Sequence, residues 1–490
     1  MRKLKPVMFV GTGSDVGKSI VNTGFCRILK QDGYNPAPYK AQNMSLNSYA
    51  TPEGFEIGRA QAVQAEACGI DCHTDMNPIL LKPTNDKSSQ VVLNGKPVGT
   101  QSAYDYFMGN NKSALFEEAK SAFHRLEKRF NPIVLEGAGS ISELNLKSRD
   151  ITNMKMAMET DSVTYLIADI DKGGVFASVY GSIALLDENE RNQIKGILIN
   201  KFRGDIKLFE EGKKIIEDLT GKPVIGVLPY FRDIHIEEED SVSLEKKFSN
   251  AQEGKINCAV ILLPRMANFT DFSVLEHDPR VHLYYTNNIQ EIENADIVII
   301  PGSKNTISDL QELKNNGVAK SIINARKNGK KVIGICGGYQ MMGSIISDPK
   351  GIEGNIKQIS GLGLLPIETV ITEEKLTEQC EFAFKNYTDT CEGYEIHMGQ
   401  SKSLVQGNSL NKLSNGKQEG YILDDNCWGS YIHGILDNQI VINDLLSGFE
   451  AISNDEFNYK KFKEEQYDKL ADVIRESVDM KLFYQHLSQE

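Results

Sequence analysis

The 490-residue chain is too long for one ordinary hydrophobic core and predicts at least two domains of about 200 residues. Hydrophobic residues make up 40% and charged residues 25%, as in ordinary globular proteins, and no run of about 18 apolar residues suggests a membrane span. The formal net charge of -13 argues against sequence-independent binding to nucleic acid, which needs a basic surface.

The first residues and the cysteines indicate the compartment. The basic start MRKLKPVMFVG has only a short apolar run before a glycine-rich loop, so it is not typical of a signal peptide. The eight cysteines are scattered without a CxxC pair, as is typical of reduced, buried thiols. We therefore expect a cytoplasmic protein without a membrane partner.

The first half alternates strand-like and helix-like segments. Nearly continuous apolar runs, typical of strands in a parallel sheet, occur at 7–11, 132–139, 163–170, 195–200 and 223–229. Residues 17–33 carry an apolar stripe and stop at a glycine, which predicts a helix.

The stretch GTGSDVGKS, at 11–19, follows the first predicted strand and opens this helix, which is the context of a phosphate-binding loop. Glycines let backbone N–H groups face phosphate oxygens, and the helix N-terminus adds positive potential. We predict that Lys18 reaches the outer phosphates of ATP and that Ser19 binds Mg²⁺. Five residues, one more than usual, separate Gly11 from Gly17, and this longer loop resembles the dethiobiotin synthetase and partition-ATPase branch.

Two carboxylates are further candidates for the metal ion. Asp15 lies in the loop and Glu136 ends the second predicted strand, although each fits a helix cap or a strand-end surface charge equally well. Asn200 and Lys201 follow a later strand, and Asn200 is a candidate contact for the purine base of the nucleotide.

The character of the chain changes near residue 237. The polar, charged stretch 241–254 predicts a linker, and a second alternating series follows, with apolar runs at 256–264, 281–286, 295–302 and 331–338. A helical segment spans 308–329. We expect two α/β domains, 1–240 and 255–445, and a charged helical tail at 446–490.

The stretch GICGGYQMMG, at 334–343, places one cysteine among glycines on a predicted turn from strand to helix. The helix N-terminus favours a thiolate and supplies backbone N–H groups for an oxyanion hole. We predict Cys336 as a nucleophile, with Gly337 and Gly302 at the oxyanion hole. His433 is the candidate proton carrier because it follows an apolar run and precedes a glycine, although a lone histidine is usually structural.

These residues resemble the nucleophile motif G-x-C-x-G-x-Q of class I (triad) glutamine amidotransferases, which release ammonia from glutamine through a cysteine thioester: Gly334, Cys336, Gly338 and Gln340. Those enzymes usually carry His-x-Glu, but Ile435 follows His433 at the glutamate position. The cobyrinic and cobyric acid amidotransferases resemble the chain in this respect. The sequence leaves open what orients His433.

Further stretches extend the resemblance over nearly the whole chain to the cobyric acid synthase family: YKAQNMSLNSY (39–49), EIGRAQAVQAEACG (56–69), MNPILLKP (76–83), EGAGSISELNL (136–146), DKGGVFAS (171–178), NKFRGD (200–205), PGSKNT (301–306) and GYEIHMG (393–399). One departure is Lys172, where arginine is expected, which keeps the charge but loses a bidentate fork. The resemblance implies a dethiobiotin synthetase-like P-loop domain, with a parallel sheet, followed by a class I glutamine amidotransferase-like α/β domain.

The resemblance also implies an activity. The chain would use ATP, Mg²⁺ and glutamine to amidate the b, d, e and g carboxylates of adenosylcobyrinic acid a,c-diamide, giving adenosylcobyric acid in cobalamin biosynthesis. Candidate contacts to this corrinoid are cations and amides that fit a solvated face or a helix cap about as well: Lys40, Gln42, Asn43, Arg59 and Lys82. His397 borders the glutamine site or is structural.

Other functions remain possible at this point. Cobyrinic acid a,c-diamide synthase performs the same chemistry on an earlier substrate, but the block KAQNMSLNS argues against it. CTP synthase would be expected to keep His-x-Glu. A P-loop ATPase switch with a degenerate glutaminase domain would not need both Cys336 and His433. The oligomeric state and the order of amidation stay open.

Overall fold

The computed structural model describes residues 3–85, 88–102, 106, 112–237, 247–449 and 457–488. The chain forms two compact units. The first contains Met1–Ser45, Ile57–Glu237 and Lys461–Glu490, and the second contains Leu46–Glu56 and Glu238–Lys460. The segments 46–56 and 461–490 therefore belong to a unit other than the one suggested by their place in the chain.

The first unit is built on a parallel sheet, as the continuous apolar runs predict. Its strands lie in the order Val224–Pro229, Ile194–Phe202, Val163–Asp169, Val7–Gly11, Ile133–Glu136 and Ala37–Tyr39. A smaller sheet contains Gln42–Met44, Ile79–Asn85, Ser88–Leu93 and Lys96–Ser102. The helices are Lys18–Gln31, Arg59–Cys68, Lys112–Leu126, Met154–Glu159, Val175–Ala184, Glu188–Gln193, Glu210–Thr220, Tyr459–Ser477 and Met480–Leu487.

The charged tail completes the core of the first unit. Phe25 of the first helix stacks between Phe9 and Phe483, with ring centroids 4.7 Å from each. Leu470 and Ile474 are fully buried in the same cluster. Apolar residues of the tail therefore pack against the sheet and helix that carry the phosphate loop.

The second unit has its own sheet, in the order Val281–Thr286, Ile256–Ile261, Ile297–Ile300, Lys331–Ile335, Cys427–Ser430 and Tyr421–Asp424, all parallel except the last pair. The predicted helical segment 308–329 is divided into Thr306–Asn315 and Val318–Lys327, because Gly317 lies between them with φ +84°. The other helices are Ser273–His277, Ile289–Asn294, Gly337–Met342 and Gln439–Leu445.

A second sheet of this unit centres on a long hairpin, Ile367–Phe384 with Thr390–Ser403. It also contains Ile345–Ser347, Gln358–Ser360, Asn411–Leu413, Gln418–Glu419 and Ile432–His433. The predicted linker 241–254 lies partly outside the described residues, and its described part, 247–254, has neither helix nor strand. No helix in the described parts of the chain is long and apolar enough to cross a membrane.

Candidate functional site

The phosphate loop of the first unit lies at the carboxyl end of the strand Val7–Gly11. Gly17 has φ +94°, and a Cβ there would lie 2.2 Å from Nδ2 of Asn200, so only glycine fits. The ammonium of Lys18 donates to the carbonyls of Gly13 and Gly139, each at 2.9 Å. The loop thus holds its cation over the cradle where phosphates bind.

Next to this loop, the Glu136 carboxylate accepts hydrogen bonds from three side chains. Its Oε1 accepts from the Ser19 hydroxyl at 2.8 Å and from the Lys40 ammonium at 2.9 Å, and its Oε2 accepts from Gln64 at 2.7 Å. Burial favours a higher pKa for Glu136, but Lys40 and the other donors outweigh it and hold the pKa below its usual value.

The oxygen atoms of Ser19 and Glu136 fit a nucleotide-bound magnesium ion, whose remaining ligands are phosphates and waters. Asp15, in contrast, is exposed, and takes no part in the hydrogen bonds between Ser19 and Glu136. Among the described residues no group of three or more His, Cys, Asp or Glu side chains could hold a metal ion by itself. A magnesium site here therefore needs the nucleotide.

Asn200 supports the loop from the neighbouring strand. Its Nδ2 donates to the carbonyl of Val16 at 2.8 Å. The next residue, Lys201, has φ +61° and pairs with Asp169 at 2.9 Å, and its ammonium also contacts the carbonyl of Asp15. The structure thus places Asn200 against the phosphate loop, and its contact with the purine base stays a prediction.

The residues predicted to contact the corrinoid do not form one open surface. Lys40 lies in the phosphate site with Glu136. Gln42 accepts a hydrogen bond from the Tyr106 hydroxyl at 2.6 Å, and the buried Asn43 donates to Gln61 at 3.0 Å.

The two remaining cations of that set are buried as well. Arg59 makes a bidentate ion pair with Glu237, at 2.6 and 2.9 Å, so its planar fork is occupied. Lys82 is buried on the strand Ile79–Asn85. Binding of a large acidic substrate by Arg59 would require this ion pair to open.

In the second unit, Cys336 lies on the turn that the glycine-rich stretch predicts. It has φ +51° and ψ −109°, a conformation rarely populated by residues with side chains, between the strand Lys331–Ile335 and the helix Gly337–Met342. A Cβ at Gly338 would lie 1.9 Å from the Ile300 carbonyl, which explains the glycine. The strained turn places the thiol at the N-terminus of this helix.

His433 is the partner of this thiol. It lies close enough to Cys336 for the charge of that residue to act on its ring, and its Nδ1 lies 2.6 Å from Oδ2 of Asp271. The other oxygen of Asp271 accepts from the backbone N–H of Gly434 at 3.0 Å. Burial lowers the pKa of His433, but the charges of Asp271 and Cys336 outweigh it and raise the pKa to about 10. The site therefore favours the imidazolium form of His433.

Asp271 is the functional residue that sequence reasoning missed. It lies in the short 3-10 turn Phe269–Phe272, 162 residues before His433. No spacing links it to the cysteine or histidine stretches, so only the fold reveals that its carboxylate lies beside His433, which lacks the His-x-Glu glutamate.

Both predicted oxyanion glycines lie at Cys336. A Cβ on Gly302 would be 3.4 Å from Cε1 of His433 and 3.8 Å from Cβ of Cys336, and one on Gly337 would be 2.8 Å from the Ser303 nitrogen. The pair Gly302–Ser303 is fixed by antiparallel pairing with Met266–Ala267. The backbone thus approaches the cysteine closely on two sides, as an oxyanion hole requires.

His397 borders the same site. Its ring stacks on Tyr431 at 3.8 Å, and its Nδ1 lies 2.7 Å from the Gly399 carbonyl. Gln340 of the motif donates to the Tyr431 hydroxyl at 3.3 Å. The Cys336 thiol contacts the carbonyl of Ile396, next to His397, at 3.7 Å.

Comparison with known proteins places each unit in a described family. Residues 7–244 match the CobQ/CobB/MinD/ParA nucleotide binding domain, and residues 257–441 match the CobB/CobQ-like glutamine amidotransferase domain. Two similar full-length relatives are cobyric acid synthases. The one from Parabacteroides distasonis is 64% identical over 98% of both chains, and the one from Bacteroides fragilis is 58% identical over 99% of both.

Proposed function

The chain belongs to the cobyric acid synthase family, a family of glutamine-hydrolysing amide ligases, and on this premise we propose that it amidates the b, d, e and g carboxylates of adenosylcobyrinic acid a,c-diamide. The observation that supports glutamine as the ammonia donor is the Cys336–His433–Asp271 arrangement. The structure describes all eight cysteines, each a free thiol, which fits a cytoplasmic location.

The second unit would release ammonia by covalent catalysis. The Cys336 thiolate attacks the side-chain amide carbon of glutamine, while the N–H groups of Gly302 and Gly337 stabilise the oxyanion. The His433 imidazolium protonates the leaving nitrogen, so ammonia departs and a thioester remains. The neutral imidazole then takes a proton from water, whose oxygen attacks the thioester and releases glutamate. Asp271 keeps the ring oriented throughout, through the Nδ1 contact of 2.6 Å.

The first unit would activate the acceptor carboxylate. A carboxylate oxygen of the corrinoid attacks the γ-phosphorus of ATP, ADP leaves, and ammonia displaces phosphate from the resulting acyl phosphate. Lys18 would compensate the phosphate charge, because its ammonium is held at the phosphate loop by the carbonyls of Gly13 and Gly139, each at 2.9 Å. Mg²⁺ bound with the nucleotide would supply further charge neutralisation, held by Ser19 and Glu136, with Lys40 beside them.

The division of labour follows the two units. We assign the ATP-dependent step to the unit formed mainly by residues 1–240 and glutamine hydrolysis to the unit formed mainly by residues 255–445. The tail from Lys461 belongs to the ATP-dependent unit. This assignment predicts that ammonia salts can replace glutamine as the nitrogen source, because the ATP-dependent step does not use the chemistry of the second unit.

The direct test is mass spectrometry of adenosylcobyrinic acid a,c-diamide incubated with protein, ATP, Mg²⁺ and glutamine. We expect stepwise acid-to-amide conversions that end at the product amidated at b, d, e and g. If this corrinoid stays unchanged while cobyrinic acid gains amides at a and c, the chain is the diamide synthase instead. Hydrolysis of glutamine with neither substrate changed would point to another carboxylate acceptor.

The substitution Asp271→Asn tests the proposed orienting carboxylate. The Asn carbonyl can still accept from Gly434, but its NH₂ then faces Nδ1 of His433, which stabilises the wrong tautomer. We expect glutamine hydrolysis to fall by about 10² at neutral pH. Because the carboxylate raises the histidine pKa, its loss should also move the alkaline limb of the kcat–pH profile to lower pH.

Ammonia-dependent amidation provides the control for this variant, because it does not use the second unit's chemistry. It should stay within about twofold of wild type. A glutamine-dependent rate and pH profile that match wild type would show that Asp271 does not orient the histidine.

A further inference from the structure

Residues 46–56 belong to the second unit although the chain on both sides belongs to the first. We call them the docking segment. Its end is fixed by a buried ion pair between Glu56 and Lys375, and its middle by a hydrogen bond of 2.9 Å from Gln379 to the Ala50 carbonyl. Both partners lie on the first strand of the long hairpin.

The docking segment holds the turn that carries Asp271. The side-chain oxygen of Asn47 accepts from the backbone N–H of Phe269 at 3.2 Å. In return, the backbone N–H of Ser48 donates to the side chain of Asn268 at 2.9 Å. Asn268 has φ +54° and is the residue at which this turn begins. The two hydrogen bonds therefore hold the strained backbone at the start of the turn.

The same segment holds the ring that covers His433. Tyr394 stacks on the imidazole, with centroids 5.3 Å apart and planes inclined by 25°. Its hydroxyl donates to the Ser48 carbonyl at 3.2 Å, and Tyr49 packs against its ring at 4.4 Å. The docking segment therefore contacts two neighbours of His433, the turn that carries Asp271 and the stacked ring of Tyr394.

We propose that Asn47, Ser48 and Tyr49 are positioning residues of the glutaminase, which keep His433 aligned between Asp271 and Cys336. They lie in the block YKAQNMSLNSY, in which the sequence predicts other residues, Lys40, Gln42 and Asn43, as corrinoid contacts. They act through Asn268, Phe269 and Tyr394. The inference rests on the proposed roles of Cys336 and His433.

The test is steady-state glutamine hydrolysis by the full-length protein without ATP or corrinoid. Asn47→Ala removes the acceptor for Phe269, and Tyr394→Phe removes the hydroxyl that reaches Ser48 but keeps the ring on His433. We expect each substitution to lower kcat by about 10-fold, with KM for glutamine within about twofold, because alignment in the transition state is lost and binding is kept.

The pH profile separates positioning from a general structural effect. In the described structure, the titratable groups against His433 are Asp271, Cys336 and Tyr394. If alignment with Asp271 loosens, the imidazolium is less stabilised and the alkaline limb of kcat moves to lower pH. A loss of folded protein would instead lower kcat equally at every pH.

Gln379→Ala is the matched control, because it removes the hydrogen bond of 2.9 Å to the Ala50 carbonyl but keeps the hydrogen bonds of Asn47, Ser48 and the Tyr394 hydroxyl, and the backbone of residue 379 still pairs with Tyr394 across the hairpin. It should leave kcat within about twofold, and ammonia-dependent amidation should be unchanged in all three variants. Equal losses in Gln379→Ala, or unshifted pH profiles in the other two, would overturn the inference alone. No glutamine hydrolysis by the wild type would overturn the proposed function as well.

Discussion

Cys336→Ala is expected to lower glutamine-dependent amidation by at least about 10³-fold while ammonia-dependent amidation stays within about twofold of wild type. Alanine removes the only atom that can form the thioester, and His433 cannot replace it. Alanine also lacks the thiol that interacts with the imidazolium. It keeps the Cβ of cysteine, so the strained turn and the nearby glycines should stay in place. The measurement is the rate of amide formation with glutamine and with ammonium chloride under saturating ATP.

Cys391→Ala is the matched control for this variant. Cys391 is also buried in the second unit, on the hairpin strand Thr390–Ser403, where burial raises its thiol pKa to about 11, so it stays protonated at neutral pH. Its loss should cost stability of about 1 kcal/mol but leave glutamine-dependent turnover intact. Wild-type turnover by Cys336→Ala with glutamine would show that another group attacks the amide.

The reacting pair of the second unit was accessible to sequence reasoning because its signals are local. Glycines around Cys336 mark a tight strand-to-helix turn, and the apolar run before His433 marks a strand end, so both follow from neighbouring residues. Asp271 has no such signal, since its role depends on how the turn Phe269–Phe272 meets a strand much later in the chain. Partners across a fold are set by tertiary packing, which a single sequence does not display.

The same limit explains what was missed in the fold. Parallel strands buried on both faces appear as continuous apolar runs and were predicted, and the structure confirms the two α/β units. The long hairpin Ile367–Phe384 and Thr390–Ser403 was missed because much of it is exposed or half-buried, so polar residues interrupt its pattern. The role of the docking segment could not be predicted, because Asn47 and Ser48 fit a substrate contact, a solvated face or a contact within the fold until their partners are known.

Lys18→Ala should have the opposite phenotype to Cys336→Ala. We expect amidation to fall by about 10²- to 10³-fold with either glutamine or ammonia, because charge on the transferring phosphoryl group loses its principal side-chain partner. Glutamine hydrolysis measured without ATP should stay within about twofold of wild type, since His433 and Cys336 belong to the other unit. The measurements are ADP release, amide formation and glutamate release on the same preparation.

Lys18→Arg and Lys207→Ala are the comparison variants for this prediction. Arginine keeps the charge, but its planar guanidinium replaces a compact ammonium that lies 2.9 Å from two carbonyls, so we expect it to restore little activity. Lys207 is an exposed lysine of the same unit, and its loss should change no rate. If Lys18→Arg amidates at the wild-type rate, the loop needs a positive charge but not the ammonium geometry. If Lys18→Ala does so, phosphoryl transfer does not use this loop, and the ATP site must lie elsewhere in the unit.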